Sequence, residues 1–347
     1  MFEEFLSNER WWLTVKGPEA KIIISSRLRL ARNIEDFPFP SRATRSQKKE
    51  ILERLENLWS KVEILKLGFF VRMDEVSFLD RQFLLERHLI SQEHINNPQG
   101  KGLIVSLDER ISIMINEEDH LRIQVLTSGF NLEETWEIIN KVDNAISRFL
   151  PYAFLPEIGY LTACPTNVGT ALRASCMLHL PGLVLTKRIG KILELLAKLS
   201  FTTRGLFGEG TQALGNFFQI SNQVSLGISE EEIIDNLCGV VKQIRDQEES
   251  ARNLLLRRHK PSLEDSIWRA LGILRNARLI TTKEALSHLS LLYLGVDLGI
   301  IKGIKREVIN NLFIVIQPAH LQKMEGKALG DQERDYKRAA LLRSKLK

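Results

Sequence analysis

The sequence of 347 residues predicts an α+β fold, in which an antiparallel β-sheet is flanked by helices and followed by an all-α C-terminal domain. Three observations carry this expectation. The segments at 22–32, 111–125 and 172–180 alternate apolar and polar residues with period two, as strands with one face in a core do. In these segments arginine recurs on the non-core face, an arrangement an antiparallel sheet tolerates because one of its faces can stay open. Beyond residue 254 the apolar spacing is helical only, so the domain boundary is expected near 255, between 1–254 (core 21–250) and 255–347.

The totals narrow the class. Hydrophobic residues make up 44% and charged residues 26%, ordinary for a soluble globular chain. The 48 basic residues are largely offset by 43 acidic ones, and a net charge of +5 is too mild for a dedicated nucleic-acid binder. Cys164, Cys176 and Cys238 are odd in number and form no close metal-binding pair, which fits a reduced, cytoplasmic setting. The start, MFEEFLSNERWW, lacks a signal-peptide apolar run, and no 18-residue apolar stretch occurs, so no membrane role is expected.

In chain order, IIISSRLRLAR places Leu28 and Leu30 in the core and Arg27 and Arg29 together on the other face, with Ser25 and Ser26 on opposite faces. Taken alone, those arginines read as the solvated outer face of an edge strand. Helical spacing covers 46–62 and about 79–89, the second ending at His88-Leu89-Ile90-Ser91. The strands of ERISIMINEEDHLRIQVL flank Asn116-Glu117-Glu118-Asp119, a hairpin with an acidic tip, and Arg122 lies on the non-core face. A helix is expected over 132–149.

CPTNVGTALRASCMLHLP, at 164–181, is a turn-rich loop feeding a strand. Leu172, Ala174, Cys176 and Leu178 face one way; Arg173, Ser175, Met177 and His179 face the other. After a helix over 187–199, Arg204 leads into a loop with Gly205, Gly208, Gly210 and Glu209, which matches no standard phosphate-loop motif. Phe217, Phe218, Ile220 and Val224 return the chain to a strand, and Ser229 with Glu232 forms a capping box for a long helix. In the last helix Arg334 and Arg338 share a face, where a solvated surface is the ordinary reading.

Arg27, Arg29, Arg122, Arg173 and Arg204 thus all come from strands or strand ends. If they converge, two guanidinium groups about 6 Å apart at an effective dielectric of about 20 repel by roughly 3 kcal/mol. A triphosphate with Mg²⁺ relieves that repulsion, because arginine forks grip phosphate oxygens bidentately. Glu118 and Glu209 lie beside two of the arginines, and a pair of carboxylates suits a guanidinium acceptor, which needs orientation and a base.

SSRLRLAR, NEEDHLRIQ, CPTNVGTALRAS and RGLFGEG, in that order, resemble the phosphagen kinases, the creatine and arginine kinase family, over about 21–250. Three features are similar to the bacterial protein-arginine kinase branch (McsB-type). The chain begins almost at the catalytic region, the loop continues as CPTNVGTALRASCMLHLPGLVLT, and RDYKRA near the C-terminus resembles a phosphoarginine-binding motif.

The resemblance implies the phosphagen kinase (glutamine synthetase-like) catalytic fold and transfer of the ATP γ-phosphate to arginine side chains of proteins. ATP, carrying Mg²⁺, would be bound by Ser25, Ser26, Arg27, Leu28, Arg29, His88, Arg122, Arg173, Ala174, Ser175, Cys176, Met177, Arg204, Gly205, Leu206, Phe207, Gly208 and Glu209. Glu118 would be the base, Glu209 the second carboxylate and Cys164 the active-site cysteine; no protein metal ligand is expected. Arg334, Asp335 and Arg338 would bind phosphoarginine as an allosteric site. Implied partners are arginine-bearing protein substrates, a zinc-finger activator, a Clp-type ATPase or protease and a second copy of the chain, with stress response as the setting and no direct nucleic-acid binding. One departure is Ala171, where the family usually has glycine. The competing readings are a non-catalytic phosphoarginine-binding adaptor and a small-molecule arginine kinase.

Overall fold

The computed structural model describes residues 17–66, 68–205 and 214–347. An eight-stranded sheet carries the fold, built from β1 (Ile23–Arg32), β2 (Gly68–Arg72), β3 (Gly102–Ser106), β4 (Ile111–Ile115), β5 (Leu121–Ser128), β8 (Leu172–His179), β9 (Phe201–Gly205) and β10 (Phe217–Asn222). Its order is β2-β3-β4-β5-β1-β8-β10-β9, and every neighbouring pair is antiparallel. A separate two-stranded ribbon joins β6 (Phe154–Leu155) to β7 (Gly159–Tyr160).

The alternation decides the layering. Leu28, Leu30, Ile123, Val125, Leu172, Ala174 and Leu178 point to one side. There they meet α1 (Arg45–Trp59), α3 (Leu132–Ser147), α4 (Ile189–Lys198) and α5 (Glu230–Arg258), whose Leu55, Ile139, Leu196 and Leu237 are buried. Burying such a side chain stabilises by about 1.5–3 kcal/mol, so a register slip that turned this face to solvent would be prohibitive. The helices start where their caps dictate. Thr44 and Ser229 each close a capping box, and Thr281 accepts the Glu284 amide.

The opposite face is divided. At one end Leu126, Met177 and Phe217 pack beneath the C-terminal helices α6 (Lys260–Asn276), α7 (Thr282–Asp297) and α8 (Arg306–Val315). Phe217 sets its ring edge-on to Phe313 at 4.8 Å. His179 bonds Ser290 of α7 at 2.8 Å. The rest of that face is where the arginines stand. The last helices are α9 (Pro318–Glu325) and α10 (Asp331–Lys345). α9 lies against α2 (Phe78–Glu86), and Glu86 accepts the Ala319 amide at 2.7 Å and the His320 amide at 2.9 Å.

Several expectations about elements change. α1 stops at Trp59, and a separate turn of helix at Glu63–Lys66 follows. α2 ends at Glu86, not near 89, because His88 takes a left-handed φ of 61°. Val224 lies beyond β10. β2 and β3 were not expected. β3 (GLIVS) is buried on both faces, Ile104 in the main core and Leu103 and Val105 in a third cluster with Phe83 and Met114. A strand covered on both sides carries no alternation to read. The acidic hairpin tip is not simply solvated: Asn116 and Asp119 are buried.

Candidate active site

β1 sits in the middle of the sheet and sets the register of the arginines. Arg29 faces Arg173 directly across the β1–β8 pair. Arg122 on β5 lies opposite Ala31, next to Arg29's partner Gln124. Arg204 on β9 faces Gln219 of β10, which in turn faces Met177 of β8. Adjacent strands therefore bring Arg27, Arg29, Arg122, Arg173 and Arg204 to one face.

Their mutual influence is strong. Burial, then Arg122, Arg173 and Arg204, pushes Arg27 down to about 9. Burial and the four other guanidinium groups hold Arg29 well below its ordinary value. Arg173 is lowered by burial, then by Arg204 and Arg122. Neutral oxygens orient the group: Arg27 Nη2 donates to Gln219 Oε1 at 2.6 Å and Arg173 Nη2 to Thr202 Oγ1 at 2.6 Å. Arg122 Nη1 pairs with Glu117 Oε1 at 2.6 Å, and among the described residues this is the one ion pair any of the five makes. The buried Nε atoms of Arg29 and Arg173 have no hydrogen-bond partner among the described residues. So much cationic charge with so little compensation is a site for a multiply charged anion.

A pocket on the same face is lined by Ser25, Arg27, His88, Leu126, Ser175 and Met177. His88 is pushed down to about 3 by burial and then Arg27, so it stands there as a neutral ring. Its carbonyl accepts Gln124 Nε2 at 2.8 Å. Ser26, Leu28, Ala174 and Cys176 lie on the helix-covered side. Ser26 Oγ bonds Gly129 O at 2.9 Å, and burial raises the Cys176 thiol to about 12. Their side chains are turned away from the arginines, leaving only backbone to the open face. Gly205 ends β9; Leu206, Phe207, Gly208 and Glu209 lie outside the described residues.

The acidic loop borders the cluster. Glu117 is held by Arg122 and by the Ser91 hydroxyl. Burial raises its carboxyl, but Arg122, Ser91 and the Glu118 amide outweigh burial and leave it below the ordinary range. Glu118 is largely exposed and carries the opposite shift, raised by partial desolvation, then by Asp119 and Glu117. Asp119 Oδ1 accepts Asn33 Nδ2 and the Ala163 amide, both at 2.7 Å, tying the loop to the residue before Cys164. Cys164 is half-buried with Sγ 3.0 Å from Thr166 Oγ1. Glu118 and Ala163 line one cleft of about 820 Å³. Ala171, between this loop and β8, has a left-handed φ of 52°.

Arg334, Asp335 and Arg338 sit apart, on α10. Arg338 is buried, with Nε donating to Ile316 O at 2.9 Å and Nη1 to Ile280 O at 2.8 Å and Asp335 at 2.5 Å. Arg334 donates to Leu329 O at 3.1 Å and bonds Asp331. Sequence reasoning passed over Gln219, Thr202, Asp119 and Glu117 as site-supporting residues. Gln219 was detectable, since FFQISN places it on the arginine face by alternation; the partners of the other three follow only from the fold.

The family model described as ATP:guanido phosphotransferase, C-terminal catalytic domain, matches residues 48–251, and that described as protein-arginine kinase McsB C-terminal domain matches 260–347. The chain is 48% identical to the protein-arginine kinase of Halothermothrix orenii, covering 96% of both chains. It is 47% identical to that of Bacillus subtilis, covering 96% of this chain and 93% of the relative. Among solved structures it is similar to lombricine kinase (TM-score 0.61, 26% identity), covering 69% of each chain. It is also similar to the duplicated taurocyamine kinase of Schistosoma mansoni with bound transition-state-analogue components (TM-score 0.62, 26% identity), covering 68% of this chain and 34% of that one. With its sheet, its arginine face and both halves matched, the chain belongs to the protein-arginine kinases of the ATP:guanido phosphotransferase family.

Proposed function

We propose that this chain transfers the γ-phosphate of ATP to the guanidinium group of arginine side chains in proteins, with the arginine face holding the triphosphate and Glu118 acting as the base. The observation that carries this reading is the convergence of five guanidinium groups beside a carboxylate of raised pKa. Arg27, Arg29, Arg122, Arg173 and Arg204 neutralise the phosphates and fix the γ-phosphorus. Mg²⁺ enters with ATP as part of the substrate and adds charge neutralisation on the phosphate oxygens. The pocket of Ser25, His88, Leu126, Ser175 and Met177 receives the nucleoside end, where a neutral His88 presents a ring without further positive charge.

On the acceptor side Glu118 orients the target guanidinium and takes its proton as the nitrogen–phosphorus bond forms and the bond from γ-phosphorus to the bridging oxygen breaks, releasing ADP. A carboxylate of raised pKa is a better proton acceptor than an ordinary one, and fixed alignment supplies the rest. Glu209 is assigned the second carboxylate and Cys164 a place beside the substrate nitrogen, both by family resemblance. By the same resemblance Arg334, Asp335 and Arg338 read phosphoarginine, the C-terminal domain supports pairing of two copies, and a zinc-finger activator and a Clp-type protease are partners in a cytoplasmic stress pathway. Because Arg338 holds two backbone carbonyls, Arg334→Ala is the cleaner probe of that motif.

Purified chain with MgATP and an arginine-rich protein should yield acid-labile phosphate on arginine by mass spectrometry. Glu118→Gln should lower kcat by about 10²–10⁴-fold while leaving ATP binding intact. Absence of label with activators supplied, or undiminished turnover in the variant, would contradict the assignment.

A further inference from the structure

The broad cleft beside Glu118 carries charge that phosphoryl transfer does not use. Arg45, Lys48 and Lys49 of α1, Arg72 at the end of β2 and Lys101 line it together with Glu118. The first turn of α1 has no acidic residue, so these cations sit where the helix dipole is already positive, an arrangement that works against helix stability. Lys49 reaches Glu53 at 3.6 Å and Arg72 is paired with Glu56. Among the described residues, no carboxylate lies within ion-pair distance of Arg45 or Lys48. Lys101 Nζ is fixed by the Glu93 and Asn96 carbonyls at 2.8 and 2.7 Å. Burial lowers its pKa, and Lys48 adds to that lowering against the pull of Glu117. Of the acids that line the cleft, Glu117 is bound to Arg122, and neither Asp74 nor Glu118 is within ion-pair distance of Arg45 or Lys48.

We propose that this cleft is a subsite for acidic side chains flanking the target arginine of a protein substrate. The proposal rests on the reading of Glu118 as the group that meets that arginine. A guanidinium at Glu118 leaves Arg45 and Lys48 uncompensated, and an aspartate or glutamate a few residues away along an extended segment, at about 3.3–3.6 Å per residue, neutralises them. A lysine or arginine in the same place meets like charge, so the cleft selects by repulsion as well as by attraction.

The test uses the full chain, MgATP and three peptides of equal length, each with one arginine flanked by Glu, by Gln or by Lys. KM is expected to be lowest for the Glu-flanked peptide, about tenfold below the Gln-flanked one, and highest for the Lys-flanked one. The double variant Arg45→Glu/Lys48→Glu should reverse the order, a gain that a partly unfolded enzyme does not produce. Equal KM values for the three peptides, or an order that stays unreversed in the double variant, overturn the subsite. Glu118→Gln assayed on the Gln-flanked peptide judges the base separately: lost turnover there upholds Glu118 whatever the flanking residues show, and retained turnover removes the premise.

Discussion

Glu118 and Asp119 are neighbours with opposite duties. Glu118 is exposed with its carboxyl raised; Asp119 is buried and holds Asn33 and the Ala163 amide through one oxygen. Asp119 is therefore a positioning residue that also supplies part of the Glu118 shift. With Glu118 as the proposed base, its raised pKa means that activity is lost, as pH falls, earlier than for an ordinary glutamate. Asp119→Asn keeps an Oδ1 acceptor for both bonds but removes the charge, so the acid limb of kcat/KM should move to lower pH with the loop geometry retained. An unmoved limb would show that Asp119 contributes nothing to the shift. Ala171 offers a different test. Left-handed backbone costs a non-glycine residue about 1–2 kcal/mol, while glycine adds about 0.5–1 kcal/mol of unfolded-state entropy. Ala171→Gly should thus raise Tm by about 1–2 °C in a thermal melt.

At the scale of elements, α2 links the C-terminal helices to the arginine face. Glu86, its last residue, caps the start of α9 through the Ala319 and His320 amides and the His320 ring at 2.7 Å, and Asp80 meets Lys323 at 2.5 Å. Two residues after Glu86 the chain turns left-handed and His88 reaches the pocket beside Arg27. Glu86→Ala removes a charged acceptor from several buried donors and should destabilise by about 3 kcal/mol, read as a lowered urea midpoint, with a raised KM for ATP. Sheet, flanking helices and helical C-terminal part were legible because β1, β5 and β8 each keep one face apolar, and because Ser229 and Thr281 announce their helices. β2 and β3 were hidden because they are short and lack alternation. Arg27, Arg29, Arg122 and Arg173 were legible as one face of their strands. Their convergence was not, because strand order is a long-range property: β1 pairs with β5 and β8, far away in sequence.

Across the whole molecule, α5 runs unbroken from Glu230 to Arg258, contributing Leu237 and Ile244 to the sheet core and Leu255 to the C-terminal one. Arg252 on it bonds Glu248 at 2.6 Å, Asp297 of α7 at 3.1 Å and the carbonyl of His179 at 3.2 Å, so a buried charge network joins the two cores. Within the described residues no helix is long and apolar enough to cross a membrane. This framework holds five guanidinium groups against one another, which is unfavourable until an anion arrives. Stability of the free protein and affinity for the nucleotide should therefore oppose each other at Arg29, whose buried Nε has no partner among the described residues. Arg29→Met keeps most of the side-chain volume and removes the charge. The most direct measurement is the thermal melt of this variant with and without MgATP. The free variant should melt about 1–2 °C above the parent, a gain of about 1 kcal/mol, and the stabilisation by MgATP should largely vanish. A lowered melting point for the free variant with undiminished stabilisation by MgATP would contradict the assignment of the arginine face to the triphosphate.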